Sequence, residues 1–139
     1  MKTGNGYVLM LVIAFFFSAL ASCNRYAPDG PAAAALEFSE YFAEGDVEKA
    51  AEMVQGYHGL PHTEQHQLTM FMTQVRLEMR QYGGIESFQI MEEEIYDDGE
   101  RAYVKIKTTY GNGDTEINTE AMVKTPQGWK MALYASDKQ

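Results

Sequence analysis

The spacing of apolar residues changes once along this chain, and the change constrains the fold more than any other feature of the sequence. From Pro31 to Gly84 apolar residues recur every three or four positions, as on the buried faces of helices. From Ile85 they alternate with polar residues, as in strands with one buried face. Helices that precede a one-sided antiparallel sheet cover its apolar face. The sequence therefore predicts an α+β domain.

The part before Ile85 predicts three helices. The first is expected to begin at Pro31 and stop at Gly45, because proline suits a first helical position and glycine suits the residue after the last. Asp46 suits the N-cap of a second helix that should end near Gly56, and a third should start at Thr63. The expected apolar stripes comprise Leu36, Phe38, Tyr41, Phe42, Val47, Ala50, Ala51, Val54, Leu68, Phe71, Met72, Val75 and Met79.

The part from Ile85 predicts four strands. Turn signals at residues 97–99, 111–114 and 126–128 separate them, so neighbouring strands should pair antiparallel as a meander. Ile95 has the opposite parity to Phe88 and Ile90, which a bulge or a strand end near residues 92–94 would explain. The expected inner face comprises Phe88, Ile90, Ala102, Val104, Ile106, Thr108, Ile117, Thr119, Ala121, Val123, Trp129, Met131 and Leu133.

The N-terminal residues have the order of a secretory signal, with Lys2 at a basic start, an uncharged apolar stretch at 7–20, and small residues before Cys23. At about 1.5 Å per residue, a helix over that stretch is shorter than the ~30 Å hydrocarbon core of a bilayer, so a permanent span is the weaker interpretation. Residues 20–23 resemble the bacterial lipobox, which implies a diacylglycerol group on the Cys23 sulfur. Ala19 and Ala21 also form an exit for the ordinary signal peptidase.

These features predict a lipoprotein signal peptide at residues 1–22, a lipidated tether at 23–30 and one domain at 31–136. Two or more acyl chains would make the membrane anchoring effectively permanent. We therefore expect a protein of the cell envelope and not of the cytoplasm. Asn24 is not the aspartate associated with inner-membrane retention in some bacteria, so we expect the outer membrane.

Short motifs recur in a familiar order at residues 41–46, 83–85, 104–106, 110–113 and 128–130, which read YFAEGD, GGI, VKI, YGNG and GWK. This order resembles small bacterial lipoproteins of the nuclear transport factor two-like, or cystatin-like, superfamily, some of them labelled lumazine-binding-like. The resemblance implies a curved sheet wrapped on a long helix, forming a cone with a pocket at its open end. Together with the apolar spacing, it predicts three N-terminal helices packed on a curved four-stranded antiparallel sheet. It also implies that homodimers are common. No pterin-binding motif accompanies it.

Aromatic residues and one carboxylate are the candidates for lining such a pocket. Tyr41, Tyr103 and Trp129 are candidate ligand-binding residues, although aromatic residues at these spacings are more often plain core. Glu92 is the acidic residue nearest to an inward strand position, because it shares parity with Phe88 and Ile90. Acidic residues number 20 against 11 basic ones, for a net charge of -9, which excludes nucleic acid as a partner.

The chain has three histidines, His58, His62 and His66, at the spacing that aligns metal ligands on one helix. Gly59 and Pro61 argue against one helix through all three histidines. We therefore expect them to lie in an exposed loop between two helices and at the start of the second helix. We expect no metal site and no cofactor.

The expected function is a non-enzymatic domain that binds a small molecule or an envelope protein. No Ser-His-Asp order, nucleophile elbow, phosphate loop or Cys-x-x-Cys motif is present in the sequence. One alternative is a cone-pocket enzyme of isomerase or hydrolase type, with Glu92 as its acid or base. Another alternative is a structural or assembly-accessory lipoprotein that pairs with a second copy.

Overall fold

The computed structural model describes residues 26–132, in which helices precede an antiparallel sheet. The elements are α1 (Pro31–Glu44), α2 (Val47–Glu52), α3 (His62–Met79), β1 (Ile85–Tyr96), β2 (Arg101–Tyr110), β3 (Thr115–Thr125) and β4 (Gly128–Met131). The strands are hydrogen-bonded in the order β1-β2-β3-β4, so the predicted antiparallel meander is confirmed. The predicted signal peptide, Cys23 and Leu133 lie outside the described residues. Between residues 26 and 132, no helix is long and apolar enough to cross a membrane.

The ends of the first two helices follow from local chemistry. α1 begins with Pro31 and is followed by Gly45, whose φ of 91° lies in the left-handed region. Proline lacks the amide hydrogen that would stay unpaired at a helix start, and glycine lacks the Cβ that would clash at positive φ. The Asp46 carboxylate accepts a hydrogen bond of 3.3 Å from the Lys49 amide and caps α2. The predicted end of α1 and the predicted cap of α2 are confirmed.

α2 ends at Glu52, earlier than the predicted end near Gly56. The reason is a pairing with the last strand. The Met131 amide donates to the Met53 carbonyl and the Gln55 amide donates to the Met131 carbonyl, each at 2.8 Å. The chain leaves the helix because this segment forms backbone hydrogen bonds with β4 instead.

The helices cover one face of the sheet, called the inner face below. On β2 the predicted alternation is confirmed, with a buried residue at every second position: Ala102, Val104, Ile106, Thr108 and Tyr110. On β1 the register shifts between Ile90 and Glu92, so the irregularity is a bulge at Met91, just before the predicted region, and not a strand end.

The predicted inner face of β3 is wrong. Residues paired directly across antiparallel strands stand on the same face of the sheet. The inner residues Ala102, Val104, Ile106 and Thr108 of β2 are paired with Met122, Glu120, Asn118 and Glu116. The predicted set from Ile117 to Val123 therefore lies on the outer face, where Ile117 is 54% exposed. A change of one residue in register exchanges the two faces of a strand, and here the β2–β3 turn fixes the register.

The main core lies where α1 meets the middle of the sheet. Ala32 and Ala35 of α1 are almost fully buried, in one cluster with Val104, Met122 and Met131. A second buried cluster, of Ala50, Ala51 and Met72, joins α2 to α3. Small side chains at the contact of α1 allow the helix backbone to approach the strands closely.

Candidate functional site

A pocket lies beside the main core, between α1, α3 and the inner face of the sheet. Its volume is about 220 Å³. The apolar wall includes four phenylalanines, Phe38, Phe42, Phe71 and Phe88. A mostly apolar cavity with a few convergent polar groups is the usual form of a small-molecule site, and we call this one the helix–sheet pocket.

The pocket exists because the inner side of α1 changes along its length. Ala32 and Ala35 pack directly against the sheet, whereas Phe38 and Phe42 line the pocket further along the helix. α3 forms the opposite wall and contributes Met72, which is 6% exposed, beside Phe71, which is 66% exposed at the rim. Large side chains from both helices thus stand between the helices and the strands.

Glu120 provides the carboxyl group of the helix–sheet pocket. β3 pairs it with Val104, which is fully buried, so its side chain stands on the inner face. Burial raises the pKa of the Glu120 carboxyl above its ordinary value. Within residues 26–132 no hydrogen bond or ion pair reaches this carboxyl, and no side-chain oxygen there is both fully buried and unpaired. The Glu120 oxygens therefore remain accessible from the pocket.

A tyrosine and a second carboxylate lie at the end of the pocket nearest the β2–β3 turn. The Tyr110 hydroxyl donates a hydrogen bond of 2.7 Å to Glu116 Oε2. Burial, and then the hydrogen bond to Glu116, raise the pKa of Tyr110 to about 12. The ring of Tyr82 lies 5.4 Å from that of Tyr110. Tyr110 is therefore a protonated donor at any physiological pH, and Glu116 is its acceptor.

The remaining polar groups of the pocket are uncharged. The Ser39 hydroxyl donates a hydrogen bond of 2.9 Å to the Ala35 carbonyl, so its proton is already used within α1. Thr108 is buried, and Asn118 stands between Glu116 and Glu120 on the inner face of β3. Among the described residues that line the pocket there is no lysine, arginine, histidine or cysteine.

Two of the residues predicted to bind ligand lie on the outer face of the sheet. Glu92 Oε2 accepts a hydrogen bond of 3.2 Å from Lys105 Nζ, and Tyr103 stacks on Tyr96 with ring centroids 5.0 Å apart. Glu92 and Tyr103 line one depression there, away from the helix–sheet pocket. The predicted inward position of Glu92 is wrong, because the bulge at Met91 reverses the parity of β1 after Ile90.

The other two predicted ligand residues are also separate from the pocket. The Tyr41 hydroxyl donates to Glu37 at 3.1 Å, and that hydrogen bond raises the pKa of Tyr41 above its ordinary value. Trp129 lies on the inner face of β4, half-buried against the main core, and lines a depression near Pro31. The four candidates therefore do not converge on one cavity, and their roles in ligand binding stay predictions.

The three histidines occupy two different elements. His58 lies in the short turn Tyr57–Gly59, whereas His62 is the first residue of α3, next to its predicted start at Thr63. His66 follows one turn later on the same helix, and all three are exposed. In the part of the chain that the structure describes, no group of three or more His, Cys, Asp or Glu side chains is placed to hold a metal ion.

Sequence reasoning missed Glu120 and Asn118 because the alternation from Ile117 to Val123 favoured the opposite face of β3. The available signal was the length of the turn. Thr109 pairs with Thr115 across it, and from there every even-numbered inner residue of β2 faces an even-numbered residue of β3. Counting across the turn places both polar side chains over the inner face.

The fold is similar to that of a solved protein. The crystal structure of a Campylobacter jejuni protein, named provisionally as an NTF2-like transpeptidase, matches with a TM-score of 0.59 and 18% sequence identity. The match covers 72% of this chain and 94% of that chain. No protein-family model matches the chain, and neither does any curated protein. The structural likeness shows that this chain has a nuclear transport factor two-like α+β fold.

Proposed function

We propose that this chain is a lipid-anchored protein of the cell envelope whose helix–sheet pocket binds a small, largely apolar molecule. The observation that carries the proposal is the pocket itself, with phenylalanine walls around one unpaired carboxyl group, Glu120. A half-buried carboxylate without a partner is unfavourable for folding. Groups that are retained at such a cost are common at functional sites, where the ligand provides the missing partner.

Binding is favoured over acyl transfer by the groups present. Transfer of an acyl group, as in the name of the Campylobacter jejuni protein, needs an activated nucleophile with a base beside it. The Ser39 hydroxyl is hydrogen-bonded to its own helix, and the described lining residues include no histidine or cysteine. The pocket is therefore assigned to the capture of a ligand.

The test of binding uses indole, a small uncharged aromatic molecule, with equilibrium dialysis and thermal shift as readouts. We expect indole to bind the protein and to raise its melting temperature, because a ligand that prefers the folded state stabilises it. Val75→Phe fills the pocket with an apolar side chain and should abolish binding. Leu77→Phe is the matched control, since Leu77 lies on the same helix but is 45% exposed and outside the pocket. Equal binding by the two variants would contradict the proposal.

A second candidate function, an isomerase or hydrolase, is favoured by one observation. A carboxyl whose pKa is raised by burial is a better general base near neutral pH than an ordinary glutamate. Glu120 takes this role in place of Glu92, which is exposed and paired with Lys105. Turnover of an envelope metabolite that disappears in a folded Glu120→Gln variant would establish the enzyme.

The anchoring part of the proposal rests on Cys23, which lies outside the described residues. We expect Cys23→Ala to abolish labelling with radioactive palmitate and to move the protein out of the membrane fraction, because the acyl chains hold it there. Cys23→Ala protein that stays in the membrane fraction would contradict the lipid anchor. The outer membrane and pairing with a second copy stay predictions of the sequence.

A further inference from the structure

We propose that the helix–sheet pocket selects small molecules that carry a positively charged amine on an apolar body, with the ammonium group held at Glu120. This inference rests on the proposed binding function and names the ligand class. It follows from the charges that line the pocket, from the absence of a protein cation at Glu120 and from the aromatic wall.

The groups at the pocket that can carry charge are both carboxyls. Glu120 lines it, and Glu116 lies beside it as the acceptor of the uncharged Tyr110 hydroxyl. The whole chain has a net charge of -9, so its field adds to that of the pocket. A cavity lined by one sign of charge concentrates ligands of the opposite sign and repels ligands of its own sign. Anionic ligands are therefore disfavoured on charge alone.

No described basic side chain neutralises Glu120. Arg76 lies on α3, but its guanidinium donates to the Ala43 carbonyl at 3.2 and 3.3 Å and is held at the end of α1. Lys105 lies on the outer face, where it is paired with Glu92. A ligand cation would therefore be the first partner of this carboxyl. An ammonium group both donates a hydrogen bond to the carboxylate and carries the opposite charge, so it forms an ion pair that a neutral hydroxyl cannot form.

The other walls suit the same ligand. The rings of Phe38, Phe42, Phe71 and Phe88 offer apolar contact, and aromatic faces also attract cations. Asn118 precedes Glu120 on the same face of β3, about 7 Å away along the strand. Its amide oxygen is an acceptor for a further ammonium proton. The volume of about 220 Å³ fits a single ring with a short chain.

The test compares three probes that share a phenyl ring: 2-phenylethylamine, 2-phenylethanol and 3-phenylpropanoate. The full chain in phosphatidylcholine nanodiscs is titrated near neutral pH by calorimetry, with empty nanodiscs as the blank. We expect the amine to bind at least about tenfold more tightly than the alcohol, the free-energy equivalent of one good charge-assisted contact. We expect no measurable binding of the propanoate.

Glu120→Gln keeps the shape of the side chain and removes its charge. It should weaken amine binding to the level of the alcohol while alcohol binding changes by less than about twofold, because only the charge interaction is lost. Glu94→Gln is the matched control, because Glu94 is exposed on the outer face of the sheet. It should leave both probes unaffected, and circular dichroism checks that both variants fold.

Three results would overturn the inference. Equal affinity for the amine and the alcohol would show that the pocket does not select ligands by charge, although it would still bind apolar molecules. Amine binding that Glu120→Gln does not weaken would place the cation elsewhere. If none of the three probes binds, this ligand class is excluded at this pocket. Indole binding by the Val75→Phe and Leu77→Phe variants tests the proposed binding function separately.

Discussion

The two halves of the inner face differ in how closely the helices cover them. In the closed half, Ala32 and Ala35 of α1 pack directly on Val104, Met122 and Met131. In the open half, large side chains of α1 and α3 enclose the helix–sheet pocket over the polar inner residues of β3. Side-chain size on one helix thus separates a region that stabilises the fold from a region that is free to bind.

The largest effect is expected in the closed half. Met122 lies at the centre of the closed half and is 2% exposed. Met122→Ala should lower the free energy of unfolding by about 2 to 5 kcal/mol, because close-packed neighbours cannot fill the cavity left behind. Urea unfolding followed by circular dichroism measures the loss. A loss below about 1 kcal/mol would mean that this half is not close-packed, and the comparison would fail.

Trp129→Ala should have a smaller effect, because Trp129 lies at the margin of the closed half and is half-buried. A fully buried tryptophan would cost about 3 to 5 kcal/mol, so we expect roughly 2 kcal/mol here. The same unfolding experiment measures it. A loss of less than about 0.5 kcal/mol would favour the alternative that Trp129 faces a ligand site.

Glu120→Gln should stabilise the protein, which no substitution in the closed half is expected to do. Burial raises the pKa of Glu120, so the folded state holds its proton more tightly than the unfolded state. The stabilisation that comes from the protonated carboxyl is fully present below the pKa that Glu120 has in the unfolded chain. It is lost as the pH rises through the higher pKa that Glu120 has in the folded protein. The free energy of unfolding of the variant should be higher by on the order of 1 kcal/mol near neutral pH, and this difference should vanish by about pH 4. A gain that persists at acidic pH would contradict burial of the charge as its cause.

The smallest effect on stability is expected at the rim of the open half. Phe71 is 66% exposed, so Phe71→Ala should change the free energy of unfolding by less than about 0.5 kcal/mol. The same variant should weaken indole binding severalfold, because a pocket wall is lost. A large loss of stability with unchanged indole affinity would show that Phe71 belongs to the core and not to the site.

Local chemistry predicted the parts of the fold that depend on neighbouring residues alone. Pro31, Gly45 and Asp46 define helix ends by their own backbone and side-chain preferences, and the alternation on β2 marks its buried face. The fold class and the antiparallel meander could be predicted for the same reason.

The site could not be predicted in this way, because long-range register decides which side chains reach it. The alternation from Ile117 to Val123 is an apolar pattern, yet the turn before β3 places Glu120 and Asn118 inside. The bulge at Met91 moves Glu92 outside by the same logic. In both strands a shift of one residue exchanged a candidate acid between the two faces.

The division of the inner face is tested most directly by titrating the isotope-labelled protein with indole and following the backbone amide resonances. We expect shifts confined to the pocket walls, at Phe71 to Val75 on α3 and around Thr108 and Glu120 on the sheet. Amides beside Ala102 and Met131 in the closed half should stay unchanged. Shifts centred on Tyr103 and Glu92, or on Trp129, with none around Glu120, would contradict the assignment of the helix–sheet pocket as the binding site.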